Sequence, residues 1–260
     1  MALRVLILGT RGFVGNHLAA FVANQGHEVT GVSGRSDLDL CDAAAVKDFF
    51  AKHERFDWVV HCSVRGGSRL AADDASVFYD NVRMFENVLA CSASFGSIIY
   101  FSSGAAVHLK NTPYGLSKHV NDALIRQHPN AYLFRIYGCF GIGEPAQRIV
   151  SSCLDRQSRG EMPEVHQDKL FDNVYIDDLC QLVARTLAQP SAVPRELDVV
   201  YREKYLLSQI ARLCGGEPVI RTEGLASAYA GSIGCIDEHV PHLIGLAGGI
   251  DRMREQLSRC

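Results

Sequence analysis

From residue 1 to about residue 136, short apolar and β-branched runs alternate with longer stretches whose apolar residues recur at helical spacing. The runs at 4–8, 28–32, 58–62, 97–101 and 131–136 are predicted strands, and 13–25, 43–53, 76–95 and 114–128 are predicted helices. Such alternation builds βαβ units, which right-handed crossovers wind into an α/β fold with a doubly wound parallel sheet. After Ile136 the pattern breaks, because Gly138, Gly141, Gly143, Pro145 and Pro163 interrupt it and longer loops separate the helices. The expected organisation is one domain over 1–136 and a smaller mixed lobe over 137–260, with 174–187 able to return to the first domain. The chain carries no internal repeat or low-complexity tract.

Composition narrows the partners more than the fold. With 47% hydrophobic residues among 260, the chain can bury a full core. Its 26 basic and 29 acidic residues leave a net charge of -3 and form no basic block, so nothing electrostatic points to nucleic acid or an anionic membrane, and a small-molecule substrate is expected. The apolar run from Val5 to Leu8 ends in glycines and is too short for a signal peptide, and no segment is long enough to span a bilayer, so a cytoplasmic location is expected. Nine scattered cysteines without a CxxC pair argue against a disulfide framework and against a metal site, and are expected to be buried thiols.

Gly9-Thr10-Arg11-Gly12-Phe13-Val14-Gly15 follows the first predicted strand and opens the first helix. Three glycines there suit a tight turn, close phosphate approach and helix-to-strand packing, and the helix N-terminus offers N–H groups and a positive dipole to a pyrophosphate. The domain over 1–136 is thus a candidate dinucleotide-binding domain. Tyr114-Gly-Leu-Ser-Lys118 is the second feature: residues four apart share a helix face, so the Lys118 ammonium stands beside the Tyr114 phenol and favours its ionised form. A phenol tuned in this way exchanges a proton with a carbinol or carbonyl oxygen near neutral pH. The run 98–104 is a strand that ends in hydroxyl residues, at the sheet edge where doubly wound folds bind ligands.

Together these motifs resemble the extended short-chain dehydrogenase/reductase class, the NAD-dependent epimerase/dehydratase family. The cofactor segment is most similar to the GDP-fucose synthase and 4-keto sugar-nucleotide reductase branch. The resemblance implies a Rossmann domain, a substrate-binding lobe over most of 137–260, a nucleotide-sugar substrate and a homodimer formed through two sheet-flanking helices. It also implies that Arg11, Ser33 and Arg35 meet a 2′-phosphate, since no acid ends the second strand; NADP is the expected cofactor and NAD the alternative. Arg11 and Arg35 have the plainer reading of solvated surface charges. Asp39 and Leu40 stand where relatives contact adenine, while Asp42 suits a helix N-cap. Lys118 would also hold the nicotinamide ribose.

Two registers are open for the catalytic hydroxyl. Aligning Ala106 with the family's valine puts Ser103 at that position, whereas aligning Val107 puts Gly104 there and leaves no hydroxyl. Ser103 is preferred because the site is otherwise intact, and Ser102 becomes a buried, satisfied hydroxyl. Asn81 matches a family asparagine beneath the active site, or is an ordinary polar helix residue; His61 is a packed strand histidine rather than a catalyst.

Departures from the family pattern sharpen the expected reaction. Dehydratases carry Asp-Glu after the hydroxyl, where this chain has Gly104-Ala105 or Ala105-Ala106, and the cysteine of C3/C5 epimerisation is replaced by Ala105. What remains is hydride chemistry by Ser103, Tyr114 and Lys118: reduction of a 4-keto sugar nucleotide, with an NAD-dependent sugar epimerase as the alternative and a non-catalytic dinucleotide sensor as the reading from another class. In the lobe, Gly138 replaces a common asparagine and Phe171 replaces the arginine of the family's Arg-Asp-Phe segment. Arg148 and Arg221 are candidates for a diphosphate or plain surface charges. Helices near 206–214 and 250–258 match the family's closing elements, which implies a complete chain.

Overall fold

The computed structural model describes residues 1–68 and 71–259. Two compact units emerge: one from Met1–Arg135 with Leu187–Leu197, the other from Ile136–Thr186 with the chain from Asp198 onward.

In the first unit, strands β1 (Arg4–Leu8), β2 (Glu28–Val32), β3 (Phe56–His61), β4 (Phe95–Ser103), β5 (Ala131–Ile136) and β9 (Glu196–Val199) form one sheet in the order β2-β1-β3-β4-β5-β9. β1 pairs in parallel with both β2 and β3, and β3 with β4. Val5, Leu6, Ile7 and Leu8 are all fully buried, as expected of a strand covered on both faces. The chain runs outward from β1 to β2 and then crosses back to β3, so the switch in strand order falls at the carboxyl ends of β1 and β3, where such sheets bind ligands.

Helices α1 (Phe13–Asn24), α2 (Ala43–Lys52), α3 (Ala75–Ala90), α4 (Ala105–His108) and α5 (Pro113–Ile125) connect these strands. Asp42 accepts from the N–H groups of Ala44 and Ala45 and so caps α2, and Asp74 caps α3 through the Ser76 N–H. Thr112 caps α5 by accepting from the Gly115 N–H, with Pro113 at the first helical position. The predicted helix over 76–95 is too long: α3 stops at Ala90, Ser92–Ser94 forms a 3₁₀ turn, and Phe95 already begins β4.

The second unit holds two small parallel pairs, β6 (Cys139–Phe140) with β8 (Val174–Tyr175) and β7 (Glu164–Asp168) with β10 (Val219–Leu225). Its helices are α6 (Ile149–Ser158), α7 (Ile176–Ala188), α8 (Leu207–Leu213) and α9 (Gly245–Leu257). The segment expected to return to the first domain, 174–187, instead stays with the second unit through Thr186, and the stretch that joins the first unit is Leu187–Leu197, which carries the start of β9. The Asp178 carboxylate, fully buried, accepts from the N–H groups of Ile244 and Gly245 and from the Tyr201 hydroxyl, which fastens α7 to the start of α9. Among the described residues no helix is long and apolar enough to cross a membrane, and no three His, Cys, Asp or Glu side chains are grouped to hold a metal.

Candidate active site

The glycine turn closes on itself. Gly9 lies at φ +92°, and a Cβ there would stand 2.8 Å from the Ser63 backbone nitrogen; a Cβ on Gly15 would stand 2.2 Å from the Gly9 carbonyl oxygen. Both glycines are therefore required by the approach of the chain to itself. A Cβ on Gly12 meets only the Gly9 oxygen, at 3.3 Å, so at Gly12 the missing side chain chiefly leaves room above the turn. Gly12 caps α1 without a side-chain hydrogen bond, and no acid lies in the first turn, which suits an anion. Thr10, Arg11, Phe13 and Val14 belong to this turn and first helical turn; the N–H groups of Gly9 and Thr10 are already donated to the Val32 carbonyl.

Beyond β2 each member of the expected trio has neighbours within the protein. Arg11 lies against Gly34, its guanidinium 3.6 Å from a Cβ built there. Arg35 pairs with Asp80 at 3.2 Å and Asp39 at 3.6 Å, and its side chain is 64% exposed. The Ser33 N–H and hydroxyl both donate to the Asp37 carboxylate, which holds that carboxyl below its ordinary range. Asp37 escaped the sequence reading although an acid four residues past Ser33 was visible. Asp39 accepts from the Cys41 N–H at 2.9 Å, whereas the Leu40 side chain is buried in the core and its carbonyl accepts from Asn87, leaving only backbone N–H to a ligand.

Asn81 is a brace. Its carboxamide accepts from the Arg65 N–H (2.8 Å) and donates to the Arg65 carbonyl (2.9 Å) and the Ser117 hydroxyl (3.1 Å), so both amide hydrogens are used within the protein. It joins the loop after β3 to α5.

Tyr114 and Lys118 share a face of α5. The buried Lys118 ammonium donates to the Phe101 carbonyl at 2.7 Å and stands 4.7 Å from the Tyr100 ring centre and 6.0 Å from that of Tyr114. Burial lowers its pKa to about 8, opposed by the negative charge of Asp122 one turn further on. At neutral pH the lysine therefore keeps its proton. Ser103, half-buried, ends β4, and its hydroxyl accepts from the Ala105 N–H at 3.2 Å. Ser102 faces the opposite side of the strand and is buried. His61 packs against the Phe85 and Tyr100 rings, and burial drives its pKa down to about 3, so it is neutral there.

In the second unit the two departures from the family pattern meet at one point. A Cβ on Gly138 would lie 2.9 Å from the Phe171 ring and 2.7 Å from the Asn173 side chain, so the phenylalanine is accommodated by the glycine. Phe171 stacks on Tyr229 at 5.7 Å, while Asp172 pairs with Lys204. Arg221 pairs with Glu164 on the neighbouring strand, and Arg148 stands just before α6 without a side-chain cap bond to it.

Glu144 is the unforeseen titrating group of this unit. One carboxyl oxygen accepts from the N–H and hydroxyl of Ser151, the other has no hydrogen-bond partner among the described residues, and burial pushes the pKa up to about 7. Between pH 4.5 and about 7 the folded chain thus keeps a proton that the unfolded chain has lost, so stability falls as pH rises through that window. Glu144→Gln is expected to remove this loss: the variant should gain up to about 3 kcal/mol over the parent at pH 8 and almost nothing at pH 4, read as melting temperatures.

A glycine turn at the switch point, with a tyrosine–lysine pair and a hydroxyl-tipped strand in the same unit, defines the extended short-chain dehydrogenase/reductase class. Within it the chain belongs to the NAD dependent epimerase/dehydratase family, whose model matches residues 5–200. Protein CapI of Staphylococcus aureus is 24% identical in an alignment of 242 positions, and the match covers 75% of this chain and 72% of CapI. The fold is shared with a GDP-mannoheptose C4 reductase from Campylobacter jejuni with NADP bound (TM-score 0.79, 17% identity, 99% of this chain and 98% of that one). It is shared equally with a GDP-L-fucose synthetase from Naegleria fowleri bound to NADP (TM-score 0.78, 17% identity, 100% and 95%).

Proposed function

We propose that this protein is an NADP(H)-dependent reductase of a 4-keto sugar nucleotide, with the first unit binding the dinucleotide and the second contributing the substrate lobe. The observation that carries the proposal is the Lys118 ammonium 6.0 Å from the Tyr114 ring, with both on one face of α5 and the ammonium tied to the strand that ends at Ser103. The residues fit a dinucleotide: Gly12 leaves the turn open, the start of α1 is uncapped, and Lys118 is held beside the phenol. Bound nicotinamide would supply the hydride. Tyr114 gives its proton to the carbonyl oxygen as charge builds there, Lys118 stabilises the phenolate left behind, and Ser103 donates to the same oxygen. Cytoplasmic location and a homodimer are carried by the family resemblance alone.

Asp37 favours a second reading. A carboxylate already bonded to Ser33 repels a 2′-phosphate and would accept from a free ribose hydroxyl, which supports NAD and an epimerase. Melting curves with NADPH, NADH and NAD separate the two. The reductase reading expects exchangeable NADPH to stabilise most. Arg35→Ala should then weaken NADPH about tenfold while leaving NADH unchanged. NAD retained through purification would overturn it in favour of the epimerase. NADPH that binds but is oxidised by no 4-keto sugar nucleotide, whether GDP-, dTDP-, UDP- or CDP-linked, would leave a sensor.

A further inference from the structure

The loop that follows β3 carries two consecutive glycines, and both adopt backbone conformations that side chains rarely take: Gly66 at φ +79° and Gly67 at φ +73°. Neither has room for a side chain. A Cβ on Gly66 would lie 2.5 Å from both the Asp73 carboxylate and the Val77 side chain. A Cβ on Gly67 would lie 2.9 Å from Cζ of Tyr114 and 3.0 Å from each of its two Cε atoms. Near-equal distances to those three atoms place Gly67 over the face of the ring at its hydroxyl end, because a position in the ring plane beyond Cζ would be much farther from the Cε pair. The Gly67 N–H is in turn donated to the Asp73 carboxylate, at 3.0 and 3.2 Å to its two oxygens.

We infer that the Gly66–Gly67 turn, clamped by Asp73, is a positioning element for Tyr114. The inference rests on the proposed acid–base role of that phenol. A phenol on the first turn of a helix has two rotatable bonds with which to leave its partners, and a backbone pressed on one ring face removes that freedom without adding a group that competes for the hydroxyl. Lys118 governs the phenolate only while the ring stays within its reach, since the attraction falls with separation. The groups around the ring include the Lys118 ammonium, the buried Tyr100 phenol on β4 and the Asp73 carboxylate behind Gly67. Asn81 fixes the root of the same loop through both backbone groups of Arg65, so the clamp stands on a braced base.

Three variants of the full chain test this: Gly67→Ala, which forces a methyl against the ring; Asp73→Ala, which removes the clamp; and Asp73→Asn, whose carboxamide oxygen still accepts from the Gly67 N–H. Tyrosinate absorbance against pH is recorded for each, with Tyr114→Phe as the blank that isolates this one phenol. The melting-temperature rise with NADPH is recorded alongside. Gly67→Ala and Asp73→Ala are expected to raise the titration of Tyr114 by about one pH unit. The NADPH-induced shift should stay as in the parent, and Asp73→Asn should titrate as the parent does. A Tyr114 titration unmoved in folded Gly67→Ala and Asp73→Ala would overturn the inference. Loss of folding in Gly67→Ala leaves the decision to Asp73→Ala, which introduces no clash. If Tyr114→Phe removes no phenol titrating below the ordinary tyrosine range in the parent, the acid–base role itself fails, a result distinct from failure of the clamp.

Discussion

Tyr114→Phe is expected to lower kcat for NADPH-dependent carbonyl reduction by about 10²–10⁴-fold, while the NADPH-induced rise in melting temperature stays within error of the parent. The substitution removes one oxygen and leaves the ring, so the face that meets Gly67 is retained and the helix cap at Thr112 is untouched. Lys118 also keeps its bond to the Phe101 carbonyl. What disappears is the proton donor to the developing alkoxide. Ser103 alone then faces that charge, and a neutral hydroxyl that shares a proton cannot give one up in the way an acid paired with an ammonium can. A loss confined to KM, or a kcat within tenfold of the parent, would remove Tyr114 from the chemistry and move the proton source elsewhere.

That expectation was open to the sequence because four-residue spacing on a helix is a strictly local property. The same holds for β1 to β5, whose short apolar and β-branched runs announce strands, and for the Asp42 cap of α2. Where long-range pairing decides, local pattern falls short. β9 is four residues beyond a proline-rich turn, and it becomes a strand by docking beside β5, where the Leu133 N–H donates to the Arg195 carbonyl at 2.7 Å. Phe95 keeps the helical apolar spacing of the preceding segment, yet it is recruited to β4 by packing against Phe50 at 6.0 Å.

The site divides along the same line. The glycine turn, Tyr114, Lys118 and Ser103 were legible as motifs, but their partners were not. Asn81 was visible as a residue, and only the fold shows that it spends its whole carboxamide on Arg65 and Ser117. Arg35 carries the charge expected of a phosphate ligand, and the acids that engage it, Asp39 and Asp80, come from its own loop and from α3. Phe171 and Gly138, two unrelated departures in the linear chain, are one packing event in space.

Asp122→Ala is expected to destabilise the first unit by about 3–5 kcal/mol and to impair Lys118 at the same time. The Asp122 carboxylate and the Arg135 guanidinium are each almost wholly buried and bond at 2.8 Å; Arg135 reaches onward to Glu196, which Arg126 grips with two further bonds at 2.8 and 2.9 Å. Deleting one member leaves a guanidinium in the interior with half its compensation, which costs far more than the pair contributes as a pair. The same carboxylate opposes the burial that lowers the Lys118 pKa to about 8. Without it that pKa falls further, and at a given pH a larger part of the enzyme carries an uncharged lysine that no longer stabilises a phenolate. Asp122→Asn separates the two effects, because it keeps the size and a hydrogen bond to Arg135 while removing the charge. Its melting temperature should lie between parent and alanine variant, and the alkaline limb of its activity profile should move to lower pH as the lysine loses its proton earlier. A folded Asp122→Asn protein with the parent's pH profile would detach this buried ion chain from the chemistry and leave it a purely structural link between α5, β5 and β9.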